Sequence, residues 1–137
     1  MYKNQKIIVV MPAYNAAQTL RQTFDEVMAQ EIVDLVIIVD DKSSDETVAI
    51  AKSLPNTMVY THKKNMGYGG NQKSCYRLAL EQDGDIIIMV QIDMLNHICL
   101  SGVRRIKRKL MNLLIGGRTL LGHRVVRARC RNDRKNG

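Results

Sequence analysis

Asp40 and Asp41 stand side by side directly after the apolar run Leu35-Val36-Ile37-Ile38-Val39. In an extended chain neighbouring side chains point to opposite faces, so these carboxylates do not form a proton-sharing pair. Either could accept hydrogen bonds from a base or a ribose; the plainer role is to begin a turn and favour the next helix electrostatically. Met66-Gly67-Tyr68-Gly69-Gly70-Asn71 leads into a helical stretch, where glycines let backbone N–H groups approach a phosphate. The spacing fits neither of the standard glycine-rich phosphate motifs, and a flexible connection is the alternative. Lys63, Lys64 and Lys73 could add positive charge there, or simply be solvated. Asp93 follows a fourth apolar run and could hold Mg²⁺ or Mn²⁺ with diphosphate oxygens completing the shell; a turn residue is the other reading.

These residues need elements to position them. Ile7-Ile8-Val9-Val10-Met11, closed by Pro12, has the pattern of a strand buried on both faces. Asn15 is placed to cap a helix over roughly 16–30, with Ala16, Leu20, Phe24, Val27 and Met28 on one stripe. A second strand ends at Asp40-Asp41. Ser43 and Glu46 have the form of a capping box for a helix reaching about Leu54, which Pro55 ends. Met58–Thr61 reads as a third strand, Asn71 to about Gln82 as a helix with Cys75, Leu78 and Ala79 on one side, and Gly84 as its C-terminal cap. Ile86–Val90 is the fourth strand. Alternating apolar strands and helices predict an α/β fold: an open, mainly parallel sheet with helices on both faces. Ligands in such folds lie at the carboxyl ends of the strands. Those ends are Pro12-Ala13-Tyr14-Asn15, Asp40-Asp41, His62 to Gly70, and Gln91-Ile92-Asp93.

Composition narrows the class. With 137 residues, 45% apolar and three cysteines, the chain suits a globular domain and excludes a disulfide scaffold or a disordered tail. Cys75, Cys99 and Cys130 lack metal or redox spacing, and with a polar N-terminus and no bilayer-length apolar run a reducing cytoplasm is expected. The formal charge of +8 is the sum of unlike parts: residues 1–93 carry 9 Lys/Arg and 12 Asp/Glu, whereas 94–137 carry 12 Lys/Arg and only Asp133. Two regions are therefore expected, 1–93 as the α/β domain and 94–137 as a basic segment.

Together Val10–Asn15, Ile38–Thr47, Asn65–Asn71 and Asp85–Met89 resemble the family 2 glycosyltransferases of GT-A type, in particular the dolichyl- and polyprenyl-phosphate mannosyl- and glucosyltransferases. The resemblance covers about residues 5–93. It implies that Pro12, Ala13, Tyr14 and Asn15, with Asp40 or Asp41, bind the base and ribose of a UDP- or GDP-sugar. Tyr14 would lie against the base. Gly67, Gly69, Gly70 and Asn71 would lie near the diphosphate. Asp93 would be the second aspartate of the family's D-x-D metal motif, which here reads Gln91-Ile92-Asp93. The implied reaction transfers the sugar to an acceptor such as a polyprenyl phosphate or a glycan. No convincing catalytic base follows Asp93. The competing readings are a non-catalytic nucleotide-sugar binder with a docking tail, and a phospho-receiver domain; the receiver lacks its further strand-end Asp.

Residues 103–115 have the pattern of a basic amphipathic helix suited to an anionic membrane surface or to RNA. No aromatic residue follows Tyr76, so base stacking has no platform there and nucleic acid is not the expected partner. The basic segment does not resemble the family's continuation, which makes a frameshifted or truncated gene product the expectation. Translating the gene in its other frames should reveal a family-like continuation after Asp93; finding none would remove that expectation.

Overall fold

The computed structural model describes residues 4–90, residue 92 and, for the backbone, 124–128. Strands β1 (Ile7–Ala13), β2 (Leu35–Asp40), β3 (Thr57–Thr61), β4 (Ile86–Val90) and β5 (Arg124–Ala128) alternate through β4 with helices α1 (Leu20–Met28), α2 (Thr47–Lys52) and α3 (Gly67–Glu81). They form one parallel sheet in the order β3-β2-β1-β4-β5. The strand order reverses between β1 and β4, so the crevice that takes ligands in open α/β sheets opens above the carboxyl ends of the central strands. Asp93, Gln91, Cys99, Cys130 and the basic stretch 103–115 lie outside the described residues. Among the described residues no helix is long and apolar enough to cross a membrane.

Continuous apolar strands are required here because both sheet faces are covered. Ile7, Val9, Met11 and Ala13 of β1 pack with Leu20, Phe24 and Val27 of α1 and Ala51 of α2. Ile8 and Val10 face the other way and pack with Cys75, Leu78 and Ala79 of α3. Each large side chain buried this way contributes roughly 1.5–3 kcal/mol of transfer free energy. The apolar stripes expected for α1 and α3 are therefore the ones buried.

Several element ends differ from expectation, each for a physical reason. Pro12 does not close β1, which runs on to Ala13. In a parallel strand alternate residues bond to alternate neighbours. Ala13 accepts from the Asp41 N–H on the β2 side, so Pro12 turns its missing N–H toward β4, whose pairing with β1 has already ended at Val10. α1 begins at Leu20 rather than Ala16, and α2 at Thr47 rather than after Ser43; neither has the side-chain cap that Asn15 or Ser43 was expected to supply. α3 begins earlier than Asn71 and takes Gly67, Gly69 and Gly70 into its first turn.

The end of α3 corrects the role of Gly84. Asp83, not Gly84, is the left-handed residue, at φ 56°. Its N–H donates to the Leu80 carbonyl at 3.0 Å, and the Gly84 N–H donates to the Ala79 carbonyl at 3.2 Å, which together make a Schellman closure. Gly84 is needed for space instead: a Cβ there would come within 2.8 Å of Ile8 Cδ1 and 3.2 Å of the Ala79 carbonyl oxygen. Gly84→Ala should therefore cost about 1–3 kcal/mol in urea unfolding through overpacking. Asp83→Gly should be neutral or stabilising by up to about 1 kcal/mol, because it relieves the left-handed conformation. The reverse ranking would place the conformational demand at Gly84 after all.

Candidate functional site

The site is built where the loop after β1 meets the loop after β2. Three successive backbone donors, the N–H groups of Asn15, Ala16 and Ala17, would be left without partners as β1 gives way to the turn before α1. Each finds a side chain of the second loop. Asn15 N–H donates to Ser43 Oγ at 2.8 Å, Ala16 N–H to Thr47 Oγ1 at 2.9 Å, and Ala17 N–H to Asp45 Oδ2 at 3.2 Å. Asn15, left-handed at φ 47°, returns the contact: its Oδ1 accepts from the Ser44 N–H at 2.9 Å. Asn15 and Ser43, expected as helix caps, thus join one loop to the other. The residue that serves the start of α2 is Asp45, whose Oδ1 accepts from the Thr47 N–H at 3.0 Å and from the Thr47 hydroxyl.

Asp40 and Asp41 are 0% and 3% exposed, and buried carboxylates require hydrogen-bond donors. As the alternation of a strand dictates, they serve different neighbours. Asp40 accepts from the Ser43 N–H at 3.0 Å and from the Ser43 hydroxyl, fixing the serine that holds Asn15. Asp41 Oδ1 accepts from the Met66 N–H at 2.7 Å and faces His62 Nδ1 at 2.9 Å. The Asp41 carbonyl accepts from Asn65 Nδ2 at 3.2 Å, while Asn65 Oδ1 accepts from the Gly67 N–H at 2.9 Å. Asp40 thus holds the first two loops and Asp41 holds the entry to α3.

The remaining expected residues separate into exposed and committed ones. Tyr14 is 43% exposed just after β1, in keeping with a residue on which a base could stack. Gly67 adopts φ 75°, which demands glycine at the helix entry; Gly69, by contrast, has nothing within 4 Å of where a Cβ would stand. Gly70 shares that turn, and a Cβ on it would meet Met66 Cβ at 2.8 Å. Asn71 is buried, and its Nδ2 donates to the Val39 carbonyl at 3.0 Å, so this side chain anchors α3 to β2. Pro12 and Ala13 contribute buried backbone beneath the site. Lys63, Lys64 and Lys73 are exposed. Ser43, Asp45, Thr47, His62 and Ser74 form the supporting network. The Ser-Ser-Asp-Glu-Thr run carries part of that signal, since Asp two residues before Thr marks an Asx turn.

Among the described residues no group of three or more His, Cys, Asp or Glu is placed to hold a metal ion. Asp40 and Asp41 are engaged with protein donors, so a divalent ion would depend on Asp93, outside the described residues. Burial pushes the Cys75 thiol up to about 12, which makes it a core group rather than a nucleophile.

The fold and the joined strand-end loops define an α/β domain of the Rossmann-like GT-A class. The model of "Glycosyl transferase family 2" matches residues 8–95, and the chain belongs to that family. It is 36% identical over 64 residues to an uncharacterized glycosyltransferase of Rickettsia prowazekii, covering 46% of this chain and 20% of the relative. It is 32% identical over 90 residues to the O-antigen chain rhamnosyltransferase RfbN of Salmonella typhimurium, covering 64% of this chain and 28% of the relative. The chain thus spans only about a fifth to a quarter of the length of these curated relatives. Among solved structures it is similar to the glucosyl-3-phosphoglycerate synthase of Mycobacterium tuberculosis crystallised with Mn²⁺, UDP and glucosyl-3-phosphoglycerate. That likeness has a TM-score of 0.60 and 23% identity over 83% of this chain and 41% of the other, and it establishes the fold.

Asp45 gives the loop junction a pH signature. Burial opposes its ionisation, but hydrogen bonds from the Thr47 hydroxyl and from the Thr47 and Ala17 amides outweigh that and hold its carboxyl below the ordinary value. A folded-state value below the unfolded one adds stability that is present above about pH 4 and is lost as pH falls through the lowered value. Thermal melts should show the native chain more stable than Asp45→Ala at pH 7, with the gap narrowing on acidification below about pH 4. A gap independent of pH would mean that the hydrogen bonds do not depend on the charge.

Proposed function

We propose that residues 1–93 bind a nucleotide-diphospho-sugar, UDP- or GDP-linked, as the donor half of a family 2 glycosyltransferase. The observation that carries this reading is the loop junction at the carboxyl ends of β1 and β2. Asp40, Ser43, Asn15 and Thr47 lock two loops into one platform, and exposed Tyr14 stands on it. Such a platform costs little to order when a base and ribose arrive, because its backbone is already fixed. The first turn of α3 stands on Asp41 next to this platform, with exposed Gly69 where a diphosphate could approach the backbone.

In the transfer an acceptor oxygen bonds to the anomeric carbon as the bond to the diphosphate oxygen breaks, and the nucleoside diphosphate leaves with the electron pair. A phosphate acceptor such as a polyprenyl phosphate is already ionised and needs no general base to deprotonate it. A divalent ion held by Asp93 and the diphosphate would stabilise the leaving group's charge. A polyprenyl acceptor would bring the chain to the cytoplasmic surface of a membrane, where the basic segment 94–137 meets anionic lipid.

Calorimetric titration of the folded chain with UDP- and GDP-sugars, with and without Mn²⁺, should detect binding of one class. Asp40→Ala and Asp41→Ala should weaken it by about 1–3 kcal/mol, because the Ser43, Met66 and His62 donors that hold the loops lose their buried acceptor. No heat with either donor in a folded sample would reject the assignment. Turnover with polyprenyl phosphate would then separate an enzyme from a binder.

A further inference from the structure

Asp41, His62 and Ser74 form a continuous chain, buried at Asp41 and His62 and half-buried at Ser74: His62 Nδ1 is 2.9 Å from Asp41 Oδ1, and its Nε2 is 2.7 Å from Ser74 Oγ. A carboxylate accepts, so Nδ1 donates to it, and the opposite nitrogen is left to the serine hydroxyl. The order Asp-His-Ser is that of a hydrolytic relay, but the surroundings do not support one. Ser74 lies inside α3, where neighbouring N–H groups are engaged in the helix and none is free to stabilise an oxyanion.

The chain does something else. The His62 N–H donates to the Asp40 carbonyl at 2.9 Å, so the residue extends the β2–β3 ladder while its ring crosses to α3. The ring meets Tyr60 edge-on at 5.5 Å, and the Arg77 guanidinium lies 5.9 Å from the Tyr60 ring centre. Asp41 Oδ1 is shared between the His62 ring and the Met66 N–H at the start of α3. α3 is thereby fixed at its entry through Met66 and again at Ser74, about 12 Å farther along the axis at the rise of an α-helix. Removing the imidazole frees the second point and takes one donor from the carboxylate that holds the first.

The geometry points to His62 as a positioning residue of the donor site: through Asp41 it sets the first turn of α3, Gly67–Gly70, against the diphosphate. This rests on the donor-site reading above and adds to it a residue that does not touch the ligand. Four variants separate the contacts. His62→Asn keeps a donor near the Nδ1 position toward Asp41, His62→Gln reaches only toward Ser74, His62→Leu keeps bulk alone, and Ser74→Ala removes the far contact.

Titration with UDP-glucose and GDP-mannose, in samples shown folded by circular dichroism, is the test. His62→Leu and His62→Gln should bind the accepted donor about three- to tenfold more weakly, Ser74→Ala less than about threefold, and His62→Asn within about twofold of native. A purely structural latch would lower the melting temperature of every variant and leave affinity unchanged, which would overturn the proposal. If His62→Leu does not fold, the comparison of His62→Asn with His62→Gln decides, and equal affinities would overturn it. A native chain that binds neither donor would instead remove the donor-site reading itself.

Discussion

Two carboxylates buried at the end of one strand govern the arrangement of everything near them. Asp40 and Asp41 cannot remain in a solvent-excluded position without donors, and the chain supplies those donors from three separate segments. Ser43 turns back onto Asp40, and Met66 and His62 close on Asp41. Satisfying the charges therefore assembles the loops. The same residues that would make β2 unstable if left alone hold the β1 loop, the β3 exit and the α3 entry in fixed relation.

This explains why the first four strands could be read from the sequence while the helix starts could not; β5, in the basic segment, was not expected. A strand covered on both faces must be apolar at every position, and Ile7–Met11, Leu35–Val39 and Ile86–Val90 carry that signature without help from anything distant. Asn15 and Ser43 have the residue types of helix caps, and nothing local says that their partners lie 28 or more residues away. Capping and cross-loop bonding use the same short polar side chains. The choice between them is made by topology, once β1 and β2 are neighbours.

The glycines show the same division between local and distant causes. Gly67 has a local cause, its left-handed backbone at the start of α3. Gly84 has a distant one, the Ile8 side chain from another element, so its neighbour Asp83 takes the conformation usually left to glycine. Gly69 has neither cause within the described structure, and an unexplained open glycine at a strand-end site is the kind of position where a ligand supplies the missing reason. The candidate residues were legible as a set of strand ends. Their supporting network, from Asp45 to Ser74, was not, because it is made of contacts between loops.

Cys75 offers a use beyond packing. Its thiol is fully enclosed between α3 and the sheet and held protonated by that enclosure, next to Asn71 and four residues from Ala79. A disulfide reagent can reach it only when α3 lifts from β1 and β2, so the rate of labelling is a clock for that opening event. Since the entry of the helix is tied to the same body, a ligand that slows the clock would report how far its grip extends along α3, without any label on the candidate site itself.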